Sequence, residues 1–169
     1  MVLFTEEEIQ DRVKSIAYEV SCRDNFHNEP RVMICVLNGA FMFFTDLVRN
    51  MLVDCEIDFI QVKSYTHKTQ GEIRILKDLS IDLTNKDVYI IDDIYDSGNT
   101  MKFILNRLEN TGAKSITPVT LFKRHHSNPE RLIYGFELRD ESFLIGYGLD
   151  DVDGLKRNIP YITGTLNDD

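Results

Sequence analysis

With 169 residues, 43% of them hydrophobic, the chain is long enough for one domain (1–169) with a proper core and too short for two. A formal net charge of −9 argues against nucleic acid and against an anionic membrane as partners, because both would repel it. Cys22, Cys35 and Cys55 are odd in number and lack metal-ligand spacing, no apolar run approaches a membrane span, and Met1–Phe4 leads into acidic residues, so a reduced, cytoplasmic protein is expected.

Thr5 and Glu8 form a capping-box pattern, and Ile9, Val13, Ile16, Ala17 and Val20 recur at helical spacing, which predicts an amphipathic helix over 5–22. A polar connector runs from Asp24 to Pro30. Val32 to Leu37 reads as a buried strand that ends at Asn38-Gly39-Ala40, and Phe41, Phe44, Leu47, Val48 and Met51 then suggest a second helix. Residues 56–65 read as a strand whose alternation slips once, as a bulge would make it. A polar, exposed loop over 66–71 and a short strand over 72–76 follow.

Val88 to Ile91 is a run fit for a strand covered on both faces, and it breaks into an acidic turn with Asp92, Asp93 and Asp96. Ser97, Gly98, Asn99 and Thr100 leave amides free at the mouth of a helix spelled by Met101, Ile104, Leu105 and Leu108, which runs to 111 and stops at Gly112. Strands are expected at 115–122, where Pro118 removes a ladder donor, and at 132–138, 143–147 and 159–166.

Strands alternating with helices predict an α/β domain with a mainly parallel central sheet flanked by helices. Ligands of such sheets gather at the carboxyl ends of the strands, where Asn38-Gly39, Asp92 to Thr100 and Lys123 all fall. Crowded carboxylates raise one another's pKa unless a cation or donors hold them ionised, whereas a helix mouth favours phosphate. Ribose hydroxyls and a divalent cation suit both halves. Read singly, each feature has a plainer meaning: a solvated acidic turn, a helix capped by Ser97, an Asn-Gly turn, a surface Lys123 or Arg157, a core Phe143. His125 and His126 lack a third ligand and read as exposed.

The stretch Val88 to Met101 resembles the phosphoribosyl-diphosphate signature of type I phosphoribosyltransferases, and several segments from Val32 to Ile162 are similar to the hypoxanthine-guanine phosphoribosyltransferases. The resemblance implies the type I fold with a small hood formed by the chain ends. It also implies transfer of the 5-phosphoribosyl group from 5-phosphoribosyl-1-diphosphate to hypoxanthine or guanine, giving IMP or GMP and pyrophosphate, with Mg²⁺ as cofactor. By the same resemblance Asp96 is the proton-exchanging catalytic group. Asp92, Asp93, Ser97, Gly98, Asn99 and Thr100 hold the ribose and its 5′-phosphate, while Asn38, Gly39, Ser64, Tyr65 and Arg157 meet the pyrophosphate. Lys123, Phe143, Leu144 and Asp150 serve the purine site, and Asp92, Asp93 and Asp150 the metal. A homodimer or homotetramer is implied too. The family typically has lysine where this chain has Asn38 and, in many relatives, where it has Ser142. A regulator that binds RNA on the same fold and a phosphoacceptor domain are rivals, the first opposed by the acidity of the chain and the second by the phosphate-type loop.

Overall fold

The computed structural model describes residues 1–23, 30–65 and 72–165, apart from the side chain of Tyr65. Nearly all of the predicted connector from Asp24, the polar loop 66–71 and Leu166 lie outside the described residues.

The elements are β1 (Val2–Phe4), α1 (Glu6–Cys22), β2 (Arg31–Leu37), α2 (Phe41–Arg49), β3 (Cys55–Tyr65), β4 (Glu72–Lys77), β5 (Asp87–Tyr95), α3 (Asn99–Leu108), β6 (Ser115–Arg124), β7 (Ile133–Leu138), β8 (Phe143–Ile145) and β9 (Ile162–Thr165). α1 starts as its sequence requires: the Thr5 hydroxyl accepts from the Glu8 amide at 3.3 Å and the Glu8 carboxylate accepts from the Thr5 amide at 2.8 Å. Such a cap contributes about 0.5–2 kcal/mol.

Six strands form the main sheet in the order β4-β3-β2-β5-β6-β7, all parallel except the β3–β4 hairpin. The two faces are read directly off β2. Met33 and Cys35 enter the core beneath α1 and α2, whereas Val32, Ile34 and Val36 join Met101, Ile104 and Leu108 of α3 on the other face. Because both faces are covered, β2 and β5 are continuous apolar runs rather than alternating ones. The slip predicted in β3 is a register shift against β4 between Gln61 and Val62. Pro118 sits in β6 opposite Ile90, one residue before pairing with β7 begins at Val119, so only one flank of the strand is paired there.

A second sheet, β1-β9-β8, is made by the two ends of the chain and forms the hood. Its strand β1 was not expected from the sequence, since three residues are too few to show a period. Phe4 fixes it to the main body by packing on Phe122 and Phe136, with ring centroids 5.1 and 4.6 Å away.

Four expectations are corrected. Asp92 and Asp93 stand in the strand rather than in a turn, because β5 continues pairing with β6 as far as Tyr95. α3 ends at Leu108, three residues before Thr111, whose amide and hydroxyl both bond the Leu108 carbonyl and close the helix. β8 stops at Ile145 because Gly146, Tyr147 and Gly148 all take positive φ and curl the chain away. β9 begins only at Ile162, since the Ile159 amide is turned back to Lys156 and its carbonyl accepts from Tyr147.

Candidate active site

β2, β5 and β6 are neighbours, so their carboxyl ends bring the 38–40 turn, the acidic run and the end of β6 to one edge of the sheet. A cleft of about 350 Å³ opens there, lined among others by Gly39, Ser64, Asp92, Asp93, Asp96 and the whole of Ser97 to Thr100. Asp93 is pressed against the 38–40 turn: a Cβ on Gly39 would collide with its carboxylate oxygen. From the turn that follows β8, Gly148 backs onto the Gly39 carbonyl with φ +101°, a conformation that suits glycine. Three chain segments are thus stacked at one point.

The acid pair is held by its own backbone. Asp92 Oδ1 accepts from the Asp93 amide at 2.9 Å, and Asp93 Oδ1 accepts from the Ile94 amide at 2.6 Å. Burial, and then the neighbouring Asp93 charge, push the Asp92 carboxyl well above the usual range; burial also raises Asp93, against the Ile94 amide and the Arg157 charge. The same surroundings push the Cys35 thiol up to about 12, by burial first and then by the charges of Asp92 and Asp93, so it is no nucleophile. A pair so short of positive charge is relieved by hydroxyl donors, or by a hard cation that arrives with oxygen ligands of its own. Among the described residues no three His, Cys, Asp or Glu side chains are grouped to hold a metal unaided.

Beyond the acids, Gly98 caps α3 without any side-chain bond, and Ser97 Oγ accepts only a long 3.4 Å contact from the Asn99 amide. Capping by Ser97 therefore does not close the helix. The first intrahelical amide is that of Lys102, bonded to the Gly98 carbonyl at 2.8 Å, which leaves the amides of Asn99 to Met101 at an open, electropositive mouth.

A slot of about 160 Å³ adjoins the cleft, sharing Ile94 and Asp96 with it and walled by Arg124, Phe143, Leu144 and Leu149. Phe143, a core residue if read alone, is 42% exposed and presents its ring to this slot. Asp96 is anchored through its carbonyl, which accepts a short bond from Ser127 Oγ. Its carboxylate is exposed, 3.8 Å from Arg124 Nε and 3.9 Å from His126 Nε2.

The remaining expected residues divide. Ser64 and Gly39 are in the cleft wall, and Arg157 is close enough for its charge to act on Asp93 while it donates to Gly148 O at 2.6 Å and Asp150 Oδ2 at 2.5 Å. Asp150 thus has one oxygen engaged and lies outside the walls of both cavities. Asn38 is exposed, its Oδ1 accepting from Gln61 at 3.3 Å. Lys123 stands beside the slot rather than in its wall, with its ammonium 3.1 Å from Ser127 O and 3.0 Å from Glu137 Oε2. Hydrogen bonds from His125 and Lys123 hold the Glu137 carboxyl down at about 2. Both histidines are exposed, as expected, and face carboxylates.

Arg124, Ser127 and Glu137 escaped the sequence reading. Glu137 is recognisable only from pairing, since it lies opposite Lys123 in the β6–β7 register. Arg124 carried a signal: a second charged residue directly after the apolar run of β6, which strand alternation turns to the opposite face from Lys123.

A family model described as a phosphoribosyl transferase domain matches residues 3–151. A curated hypoxanthine-guanine phosphoribosyltransferase of Staphylococcus aureus is 39% identical over 98% of this chain and 92% of its own length, and one of Staphylococcus epidermidis is 38% identical over the same shares. A crystal structure of a hypoxanthine-guanine phosphoribosyltransferase from Bacillus anthracis, with a HEPES molecule in its active site, superposes with a TM-score of 0.89 at 33% identity and covers 98% of each chain.

Proposed function

The chain belongs to the phosphoribosyl transferase family, and from that premise we propose that it serves purine salvage, moving the 5-phosphoribosyl group of 5-phosphoribosyl-1-diphosphate onto hypoxanthine or guanine. A bond forms between the purine ring nitrogen and the ribosyl carbon as the bond from that carbon to the diphosphate oxygen breaks. IMP or GMP and pyrophosphate leave.

The observation that supports this reading is an acid-and-amide cleft that shares the walls Ile94 and Asp96 with a slot lined by Phe143. Asp92 and Asp93 accept the ribose 2′ and 3′ hydroxyls, which supply the donors a buried carboxyl pair lacks. The amides from Ser97 to Thr100, with the hydroxyls of Ser97 and Thr100, hold the 5′-phosphate. The turn at Asn38-Gly39, with Ser64, Tyr65 and Arg157, receives the diphosphate. Phe143 lies flat on the base, the Leu144 backbone meets its 2-position, and Lys123 swings from Glu137 to donate to the 6-oxo group. Asp96 exchanges the proton at purine N7.

Asp92 and Asp93, with Asp150 for a second ion, are the residues that would hold Mg²⁺, and two carboxylates fit an ion that completes its shell with substrate oxygens. When bound, it supplies positive charge to the departing diphosphate. We place the protein in the cytoplasm as one domain that assembles as a homodimer or homotetramer, which light scattering on a sizing column reads. A spectrophotometric assay with 5-phosphoribosyl-1-diphosphate, Mg²⁺ and each purine in turn tests the reaction. Turnover with hypoxanthine or guanine is expected; none with either overturns it.

A further inference from the structure

We infer that Arg124 is a positioning residue that ties the Asp96 carboxylate to the segment carrying Phe143, an inference that rests on the transfer reaction proposed above. Arg124 ends the apolar run of β6, and only 7% of it is exposed. Two of its nitrogens are anchored: Nη1 donates to the Asp140 carbonyl at 2.5 Å and Nη2 to the Ser142 carbonyl at 2.9 Å. The Ser142 amide in turn bonds Asp140 Oδ1 at 3.1 Å, so this short loop, and with it the entry to β8, is clamped on the guanidinium.

The third nitrogen is different. Nε is buried, has no hydrogen-bond partner, and lies 3.8 Å from Asp96 Oδ1, with both residues in the wall of the slot. A guanidinium is planar and its donors have fixed directions, so two anchored nitrogens leave the third no freedom to find water or another acceptor. The Asp96 side chain, by contrast, is 60% exposed, and the imidazole of His126 is 3.9 Å away. A displacement of about 1 Å brings the carboxylate to charge-assisted bonding distance of Nε–H. A base seated against Phe143 excludes the water that now competes for Asp96. Arg124 then sets the height of the aromatic ring and the aim of the carboxylate through one rigid plane. Lysine cannot do this, because a single ammonium does not fork to two carbonyls and a carboxylate.

The test is a double-mutant cycle. Arg124→Gln and Arg124→Lys are made alone and with Asp96→Asn, and turnover of labelled hypoxanthine is measured at saturating 5-phosphoribosyl-1-diphosphate, with KM for that diphosphate and thermal melting recorded for each protein. In the presence of Asp96, either substitution lowers kcat by about 30- to 100-fold, as a misplacement near 1 Å does, while KM for the sugar diphosphate stays within about twofold. In the Asp96→Asn background the same substitutions change kcat by less than about tenfold, because the carboxylate they aim is gone and only the seating of the Phe143 segment remains to be lost. Arg124→Lys keeps the charge and the fold, and carries the test if Arg124→Gln does not melt cooperatively. Wild-type kcat in Arg124→Lys, or losses that multiply in full with that of Asp96→Asn, overturns the proposal. A wild-type protein that transfers no phosphoribosyl group in the same assay overturns the transfer reading itself.

Discussion

Asp58 offers the sharpest test of how the β3–β4 edge is held. Its side chain is buried in β3, where Oδ2 accepts from the Ser80 amide at 2.7 Å, the Ser80 hydroxyl at 3.2 Å and the Ile81 amide at 3.3 Å. Oδ1 accepts from the Phe59 amide at 2.7 Å and Lys77 Nζ at 3.1 Å. Burial alone would raise the carboxyl, but the amides of Ser80, Phe59 and Ile81 together with Lys77 outweigh it and bring the group from 3.8 to about 2. That gap corresponds to about 2.4 kcal/mol of stability, present above the unfolded value and lost as pH falls from 3.8 toward about 2. Asp58→Asn turns an NH₂ toward groups that are themselves donors. At about 2–4 °C per kcal/mol for a chain of this size, the variant should melt roughly 5–10 °C below the wild type at pH 7. The difference should shrink between about pH 4 and pH 2, because the wild type then loses the same charge. Scanning calorimetry across that range decides it. Melting points within about 1 °C at pH 7, or a gap that stays constant down to pH 2, would refute the reasoning.

Gly39→Ala drives a methyl group into the Asp93 carboxylate, so kcat/KM for 5-phosphoribosyl-1-diphosphate should fall about a hundredfold, with a stability loss of about 1–3 kcal/mol read by urea titration. Gly148→Ala meets backbone instead of a side chain and sits at φ +101°, so it should destabilise more than Gly39→Ala; the reverse order would contradict the stacking of one turn on the other. Asp96→Ala should lower kcat by about 10²–10⁴ while calorimetry still detects the sugar diphosphate, and near-normal turnover would remove its proton role. Excess chelator should stop transfer and Mg²⁺ restore it; full activity in chelator would show that Asp92 and Asp93 serve hydroxyls alone.

How far the sequence could be read depends on the range of the forces involved. α1, β2 and β5 were legible because burial imposes a period or an unbroken apolar run on consecutive residues, and the acidic run with its helix mouth was legible because both parts are local. The extent of β5 was not, since Asp92 and Asp93 stay in the strand through pairing with β6, which no neighbouring residue records. β1 exists only because the far end of the chain supplies β9. Site walls show the same division. Gly39 and Asp93 were both named from sequence, but their mutual contact, and the presence of Gly148 behind it, arises from three separate segments. Lys123 was named for a base contact, yet its cross-strand partner Glu137 holds the ammonium to one side.

The balance of charge around the cleft explains why a phosphate-bearing ligand and an acidic wall belong together. Among the described lining residues of the cleft there are three aspartates and neither lysine nor arginine, and Arg157 nearby already serves Gly148 and Asp150. Two like charges 4 Å apart repel by about 4 kcal/mol at a surface-like effective dielectric, so a bare diphosphate brought to Asp92 and Asp93 is disfavoured. On the proposed function, the same diphosphate carrying a divalent ion would present positive charge to that pair, which is short of it. At the opposite end no such inversion is needed, because the amides at the mouth of α3 bear partial positive charge that is fixed and cannot titrate. On the proposed function, the cleft would therefore distinguish the two ends of its ligand by chemistry, amides for a terminal phosphate and carboxylates for a metal-bearing one.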